Sequence, residues 1–151
     1  MSRVRRAVAG DVAELVRLRA LLFEAIEVSG ENGWRESLAG VLAEQVAAEG
    51  TRILVVDGDA GGVAACGVGA VEQRLPGPRA HNGRVGQVYG VVTDPGYRRC
   101  GHSRAILECL LGWFRERGVA RVDLHASREG EPLYRALGFV DHPEPGMFWW
   151  P

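Results

Sequence analysis

A turn between a strand pattern and a helix pattern carries the clearest chemistry in this sequence. Apolar and β-branched residues fill 86–93, an Asp-Pro-Gly turn follows at 94–96, and a helical pattern begins at about Gly101. The first turn of a helix presents unpaired N–H groups and a partial positive charge, which together favour an anion. The sequence therefore predicts a phosphate-binding turn within 98–104.

Small and basic residues surround this turn. Gly101 and Ser103 are small enough to let a bulky anion approach the backbone, and Arg98, Arg99 and Arg104 supply positive charge. The spacing alone is equally compatible with an ordinary strand, turn and helix that carries surface arginines. A second signal is needed to choose between these interpretations.

The turn resembles a known cofactor motif. Residues 91–103 contain the run Val-x-x-x-Pro-x-Tyr-Arg-x-x-Gly-x-Ser, which is similar to the acyl-CoA-binding motif of the GCN5-related N-acetyltransferase (GNAT) superfamily, usually written Arg/Gln-x-x-Gly-x-Gly/Ala. Ser103 departs from the usual Gly or Ala. It is still small, so close approach to the backbone survives.

A second segment resembles the C-terminal motif of the same superfamily. Ser127 precedes the segment Pro-Leu-Tyr-Arg-Ala-Leu-Gly-Phe at 132–139, where the superfamily has an Asn or Ser before Leu-Tyr-x-x-Leu-Gly-Phe. Two motifs in the right order, about 30 residues apart, are far more specific than either alone. The resemblance covers roughly the last 65 residues, and the N-terminal half matches only in architecture.

The resemblance implies an N-acetyltransferase that uses acetyl-CoA as its acetyl donor. Tyr134 is the implied catalytic residue, because a phenol with a reference pKa of about 10 suits proton donation to a leaving thiolate. A packing tyrosine on an amphipathic helix is the alternative, and for Ser127 the alternative is a cap on the following turn. The implied cofactor contacts are Val91, Val92, Thr93, Arg98, Arg99, Cys100, Gly101, His102, Ser103, Arg104 and Ser127.

Composition sets the broad class. The 151 residues suffice for one domain, 1–151, and a formal net charge of −1 gives no reason to expect nucleic acid or an anionic membrane as a partner. No apolar run approaches the roughly 20 residues that span a bilayer. Three cysteines without metal-ligand spacing predict neither a disulfide framework nor a metal site. These features lead us to expect a cytoplasmic protein.

The hydrophobic pattern predicts eleven elements in the order βααβββαβαββ. This order predicts a single-domain α/β (α+β) fold with a mixed, mostly antiparallel sheet of six to seven strands and about four helices on both faces, as the resemblance also implies. Gly90 is predicted to bend its strand, whereas Gly67 and Gly69 mark either a bulge or close packing. The predicted strands are 2–6, 51–56, 63–71, 86–93, 121–126, 139–140 and 147–150, and the predicted helices are 12–27, 34–46, 101–117 and 132–137.

No residue is singled out as the general base. The conceivable general bases are Glu72, Tyr89, Asp94 and His125. A water relay or direct attack by neutral amine is equally compatible with the sequence. Cys100 lies next to the predicted helix start, yet no His or Asp is spaced to form a relay with it. Covalent catalysis is therefore the minority interpretation.

The acceptor is predicted to be a small cationic amine. Glu24, Glu27 and Glu31 follow one another without an intervening basic residue, and carboxylates with aromatic faces favour cations. A solvated helix face is the alternative explanation for these glutamates. Acetylation of a protein N-terminus or lysine, a non-catalytic acyl-CoA-binding module and a homodimer all remain open. The candidate substrate residues are Glu27, Trp34, Tyr89 and Trp149.

Overall fold

The computed structural model describes residues 3–25 and 32–151, which form five strands and four α-helices. Short 3-10 turns at Ala9–Asp11 and Pro95–Tyr97 precede α1 and α3. The elements are β1 Val4–Arg6, α1 Val12–Ala25, α2 Trp34–Gln45, β2 Thr51–Asp57, β3 Val63–Gln73, β4 Arg84–Thr93, α3 His102–Glu116, β5 Arg121–Leu124 and α4 Glu131–Ala136.

The strands form one sheet in the order β1-β2-β3-β4-β5. Each neighbouring pair is antiparallel except β4 and β5, which are parallel because α3 carries the chain back across the sheet between them. The predicted fold class, a mixed and mostly antiparallel sheet with four helices, is confirmed. No helix in the described ranges is both long and apolar enough to span a bilayer.

Helices cover both faces of the sheet, and the alternation of side chains along β2 shows the two layers. Ile53 and Val55 lie in a core with residues of α1 and α2, whereas Leu54 and Val56 lie in a second core with residues of α3. Successive strand residues point to opposite faces, so a continuous apolar run in β2 serves both cores. The sheet is therefore buried between two helical layers.

Glycines in the central strands let α3 lie close to the sheet. A Cβ at Gly67 would lie 2.7 Å from the Ile106 side chain, and one at Gly69 would lie 2.9 Å from the Phe114 ring. Both distances are too short for real contacts, so the glycines leave the space that α3 occupies. The interpretation of these positions as close packing is confirmed.

The predicted sheet had six to seven strands, and the last two are absent from the described chain. Residues 139–140 and 147–150 are not paired as strands, and β5 ends at Leu124 rather than at 126. Pro143 and Pro145 have no N–H to donate to a ladder, so the connecting segment does not form a hydrogen-bonded hairpin. The predicted end of the first helix, 26–27, lies outside the described residues.

Asp11 and Glu14 have the Asp-x-x-Glu spacing of a capping box at the start of α1, but this box does not form. Asp11 accepts the Val8 N–H at 2.8 Å and pairs with Arg5, while Glu14 Oε1 accepts the N–H of Val63 at 2.8 Å. Glu14 thus bonds the first residue of β3 instead of its own helix start. The two carboxylates tie α1 to the sheet.

Gly86→Ala should destabilise the protein. An added Cβ would lie 2.7 Å from two atoms of the Phe114 ring, and such overpacking costs about 1–3 kcal/mol in the free energy of unfolding. Urea denaturation measures this change. The matched control is Gly112→Ala in α3, where a Cβ meets nothing within 4 Å and alanine favours the helix. Wild-type stability in Gly86→Ala would contradict the close packing.

Candidate functional site

The sheet splits where β4 passes beyond the end of β5. The parallel pairing runs from Val85 opposite Arg121 to Val88 opposite Leu124, and 89–93 have no β5 partner. A strand edge without a partner leaves N–H and C=O groups available for another molecule. The split therefore exposes extended backbone inside the fold.

A β-bulge at Gly90 bends β4 at this point. On the β3 side, Val68 pairs with Tyr89 and Cys66 pairs with Val92, so two residues of β4 lie opposite a single residue of β3. Gly90 has φ +62°, which favours glycine strongly. The predicted bend at Gly90 is confirmed, and the strand leaves β5 immediately before it.

A cleft of about 550 Å³ opens at the split. Its volume lies within the usual range for small-molecule sites. It brings together seven of the residues predicted for the cofactor and for catalysis. Those seven are Val91, Val92, Thr93, Arg98, Ser103, Ser127 and Tyr134, and the other lining residues are Leu21, Leu22, Glu24, Pro95, Glu129, Gly130 and Leu133.

The turn before α3 has the backbone shape of an anion cradle. Arg99 and Gly101 both have left-handed backbone angles, φ +63° and +77°, and α3 begins at the next residue, His102. Successive N–H groups in such a turn converge on one side. Nothing lies within 4 Å of a Cβ built on Gly101, so the surface over the helix start is open.

Two hydroxyl groups join the strand to the helix at this turn. Thr93 Oγ1 and Ser103 Oγ lie 2.6 Å apart, within hydrogen-bond distance. Ser103 is the residue that departs from the Gly or Ala of the superfamily motif. Its hydroxyl is engaged with Thr93, so it fixes the start of α3 against the end of β4.

Ion pairs anchor the same turn to α1. Asp94 accepts the N–H of Gly96 at 3.0 Å and pairs with Arg17 at 2.7 Å, and Arg17 also pairs with Glu14. The Gly96 N–H and the Arg17 guanidinium hold the pKa of Asp94 below its ordinary value. These contacts connect the N-terminal half of the chain to the turn.

Tyr134 lies in the wall of the cleft. It is buried in the apolar core on the α3 face, with its ring edge against Phe139 at 5.9 Å between centroids. Burial raises the pKa of its hydroxyl above the usual value for tyrosine. The phenol therefore stays protonated throughout the neutral pH range and can act as a donor.

The turn that leads into α4 holds Tyr134 in place. Ser127 Oγ accepts the Gly130 N–H at 3.1 Å, so the predicted cap is present. A Cβ at Gly130 would lie 2.9 Å from the Tyr134 ring. Sequence reasoning missed Gly130, and its place immediately before the Glu-Pro start of α4 is the signal that could have indicated it.

The remaining predicted site residues lie away from the cleft wall. Arg104 pairs with Glu108 on the surface of α3, and Trp149 is 82% exposed near the end of the chain. Trp34 packs edge-on against Phe23. Glu27 lies outside the described residues. Five further predicted residues do not line the cleft. Four of them form the turn before α3, Arg99, Cys100, Gly101 and His102, and the fifth is Tyr89.

None of the four candidate bases lines the cleft. Glu72 pairs with Arg74 near the opposite end of β3, and Asp94 is held by Arg17. His125 lines a different groove, beyond β5. Among the described residues, no group of three His, Cys, Asp or Glu side chains could hold a metal ion.

Comparison with known proteins identifies the family. The model of the acetyltransferase (GNAT) family matches residues 18–139, so the chain belongs to this family. The predicted resemblance is confirmed, and the match extends it to most of the N-terminal half.

Curated relatives match over shorter stretches. A protein of Glycine max named histone acetyltransferase TAP1 is 36% identical over 66 residues, which are 42% of this chain and 29% of that protein. A glucosamine 6-phosphate N-acetyltransferase of Trypanosoma brucei brucei is 38% identical over 58 residues, 38% of this chain and 40% of that protein. The matches thus span less than half the length of these relatives.

Solved structures share the whole fold. A predicted acetyltransferase of Clostridium acetobutylicum, solved with acetyl-CoA, superposes with a TM-score of 0.86 at 22% identity and covers 98% of this chain and 96% of that one. The glucosamine-6-phosphate N-acetyltransferase of Arabidopsis thaliana gives 0.79 at 19% identity, with 100% and 99% covered. At these identities the likeness shows the fold.

The residues present fit the donor used by this family. The N–H groups at the start of α3 and the positive charge of Arg98 suit the pyrophosphate of acetyl-CoA. The unpaired strand edge at 89–93 suits the amide groups of its pantetheine arm. The Thr93–Ser103 contact keeps the Ser103 hydroxyl out of the open space above Gly101. The cleft therefore suits acetyl-CoA.

Asp94→Asn should lower stability above about pH 4, and its difference from wild type should shrink as the pH falls through the lowered pKa of Asp94. The pKa of Asp94 is lowered in the folded protein, so its carboxylate stabilises the fold above its unfolded pKa and loses this effect as the pH falls through the lowered value. Loss of the Arg17 pair should cost about 1 kcal/mol at pH 7.

Urea denaturation from pH 2 to pH 7 measures this difference. The control is Asp141→Asn, whose side chain is 86% exposed and pairs only with Arg135 among the described residues. Because this pair is exposed to solvent, its loss should have little effect on stability across the same pH range. A constant difference between wild type and Asp94→Asn across this range would contradict the role of the Asp94 charge.

Proposed function

We propose that the protein is an N-acetyltransferase that moves an acetyl group from acetyl-CoA to the primary amine of a small cationic acceptor. The observation that carries the proposal is the cleft at the split of β4 and β5, with the start of α3 at its mouth and Tyr134 in its wall. Membership of the acetyltransferase family supports it.

The donor would be held mainly by backbone. The N–H groups of residues 99–104 would bind its pyrophosphate, with charge from Arg98, and the free edge of β4 from Val91 to Thr93 would bond its pantetheine amides. Ser127 lines the same cleft and has a second lone pair beside its bond to Gly130.

When bound, the donor supplies a thioester carbonyl that a neutral amine can attack. A C–N bond forms, the C–S bond breaks, and the departing sulfur takes the proton of the Tyr134 hydroxyl. Burial keeps that hydroxyl protonated, and it has no hydrogen-bond partner among the described residues, so it is free to turn toward the sulfur. The amine nitrogen loses one proton to solvent, and the tyrosinate takes one proton back from solvent, so no net proton is consumed.

Glu24 is the charged group that favours a cationic acceptor. It lines the cleft from α1 and is exposed, so it can pair with an ammonium group that enters from that side. Trp34 packs against Phe23 of α1 and carries the guanidinium of Arg35 over its ring at 4.8 Å, which is a cation–π contact. The acceptor proposal therefore rests first on Glu24, the acidic residue of α1 that lines the cleft.

Gly101→Val should weaken acetyl-CoA binding by more than about 30-fold, or about 2 kcal/mol. The side chain would occupy the open surface over the helix start. Isothermal titration calorimetry measures the affinity.

The matched control for this variant is Gly33→Val. Gly33 is also the left-handed residue before a helix, with φ +81° and open space around its Cβ, so it carries the same backbone strain away from the cradle. It should lose similar stability and keep its affinity. Equal affinity in Gly101→Val and wild type would place the pyrophosphate elsewhere.

Tyr134→Phe should lower kcat by about 100-fold or more and leave acetyl-CoA affinity unchanged, because only the proton donor is removed. Thiol release measures turnover against a panel of a polyamine, an amino sugar, an amino acid and peptides with a free N-terminus or lysine. Tyr97→Phe is the control, since that hydroxyl bonds Asp59 on the surface.

The same panel separates the competing functions. Wild-type kcat in Tyr134→Phe would remove the tyrosine from the chemistry. Tight acetyl-CoA binding with no turnover of any amine would indicate a binding module instead of an enzyme. Fastest turnover of the polyamine supports the cationic acceptor, whereas fastest turnover of a peptide would indicate a protein substrate.

A further inference from the structure

Three arginines lie together beside a buried indole at the C-terminal end of α3. The guanidinium groups of Arg52 and Arg117 lie over the ring of Trp113, at 5.5 and 5.3 Å from its centroid. Arg6 pairs with Leu54, two residues along β2 from Arg52, so both arginines lie on the face of the sheet that α3 covers. We refer to Arg6, Arg52, Arg117 and Trp113 as the arginine cluster.

The three arginines have no carboxylate partner in the described ranges, whereas other arginines do. Arg5 and Arg17, for example, pair with Asp or Glu at 2.8 and 2.7 Å. Burial and then the charges of Arg6 and Arg117 lower the pKa of Arg52. Glu116 offsets part of this repulsion, but it is exposed and forms no ion pair with them in that part of the chain. The fold thus holds three like charges together.

The same cluster contains three buried donors without an acceptor. They are the Nε atoms of Arg6 and Arg52 and the indole Nε1 of Trp113, a residue that is 5% exposed. Across residues 3–25 and 32–151, no other buried side-chain nitrogen or oxygen lacks a hydrogen-bond partner. Because buried donors are normally satisfied, three in one place indicate an acceptor that comes from outside the chain.

Neutralisation of the helix end does not account for the cluster. The C-terminal end of α3 carries partial negative charge, which basic side chains can offset. However, Arg84 already donates to the carbonyl of Arg117 at 3.2 Å, and Arg6 donates to the carbonyl of Ala48, before β2, at 3.1 Å. The side chains of Arg52 and Arg117 donate to no acceptor within the described residues. Their N–H groups are therefore left for a ligand.

We propose that the arginine cluster binds a phosphate group, as a second anion site at the end of α3 opposite the cradle. The helix has 15 residues, so its two ends lie roughly 20 Å apart. Guanidinium groups bind phosphate oxygens through pairs of parallel N–H bonds. Arg6, Arg52 and Arg117 are all partly exposed, so an anion can reach them from solvent.

The charge of the cluster favours phosphate over a carboxylate. Three guanidinium groups with one carboxylate nearby leave two positive charges unbalanced. A phosphate group carries a charge of about −1.5 to −2 at pH 7 and offers three acceptor oxygens, whereas a carboxylate carries a single charge. Binding would draw the long arginine side chains round the anion and give their Nε–H groups an acceptor.

Titration with inorganic phosphate at fixed ionic strength tests the proposal. The indole N–H signals in two-dimensional proton–nitrogen NMR spectra report on the site, and Trp113→Phe identifies the Trp113 signal among those of the four tryptophans. This signal should move and saturate with a phosphate Kd of about 1 mM or below. Acetate should bind at least tenfold more weakly, because it carries half the charge.

Substitution of the arginines tests which groups hold the anion. Arg52→Gln should raise the phosphate Kd at least tenfold, and Arg117→Gln, at the more exposed end of α3, should raise it as well if Arg52→Gln does not fold. Arg115→Gln is the matched control. It removes the same charge from the same end of α3, but its side chain is exposed and lies outside the cluster, so the Kd should stay within about twofold.

The cradle before α3 is the other place where phosphate could bind. Gly101→Val blocks the cradle and should leave the phosphate Kd measured at Trp113 unchanged, so the result does not depend on the proposed function. Glycerol 3-phosphate distinguishes the source of the group: tighter binding than inorganic phosphate indicates a phosphate monoester, and weaker binding indicates the free ion.

Three results would overturn the proposal. The first is a Trp113 signal that does not move up to about 20 mM phosphate, well above the expected Kd. The second is a phosphate Kd that is the same in wild type and in the folded arginine variants. The third is equal affinity for acetate and phosphate, which would indicate general attraction of anions to positive charge.

Discussion

The β-bulge at Gly90 determines where the functional site lies. An extra residue in β4 opposite Gly67 turns the strand away from β5, and the parallel pairing stops at Val88 and Leu124. In an unbroken sheet the space between these strands would be filled by ladder hydrogen bonds. The cleft, its free backbone edge and the outward position of the turn before α3 all follow from this one irregularity.

The N-terminal half contributes to the site through long-range contacts. The two recognisable motifs lie in the last 65 or so residues, yet Arg17 of α1 holds Asp94 of the turn and Glu24 lines the cleft. Glu14 bonds β3 in the same network. Helix α1, which carries neither motif, thus positions the turn before α3, which carries the first motif.

Much of this arrangement could be predicted from sequence, because it depends on local rules. The helix predicted at 101–117, the turn at 94–96 and the bend at Gly90 each follow from residue type and spacing. The long-range partners of Arg17 and Glu14 could not be predicted, since they lie 46 or more residues away and charge spacing along a helix says nothing about the sheet. The last two strands were predicted from an apolar pattern, which indicates a preference for burial but does not say whether the backbone finds a partner strand.

The glycines beneath α3 have a consequence for how this family member can evolve. Gly67, Gly69 and Gly86 have no side chains where Ile106 and Phe114 lie, so the depth of the helix is set by contact between its side chains and bare backbone. A helix moves as a rigid rod, and its first-turn N–H groups move with it. Substitution of these three glycines is therefore constrained in two ways, because a side chain there would disturb both the folding of the protein and the position of the anion-binding end of α3. This holds although none of the three glycines lines the cleft.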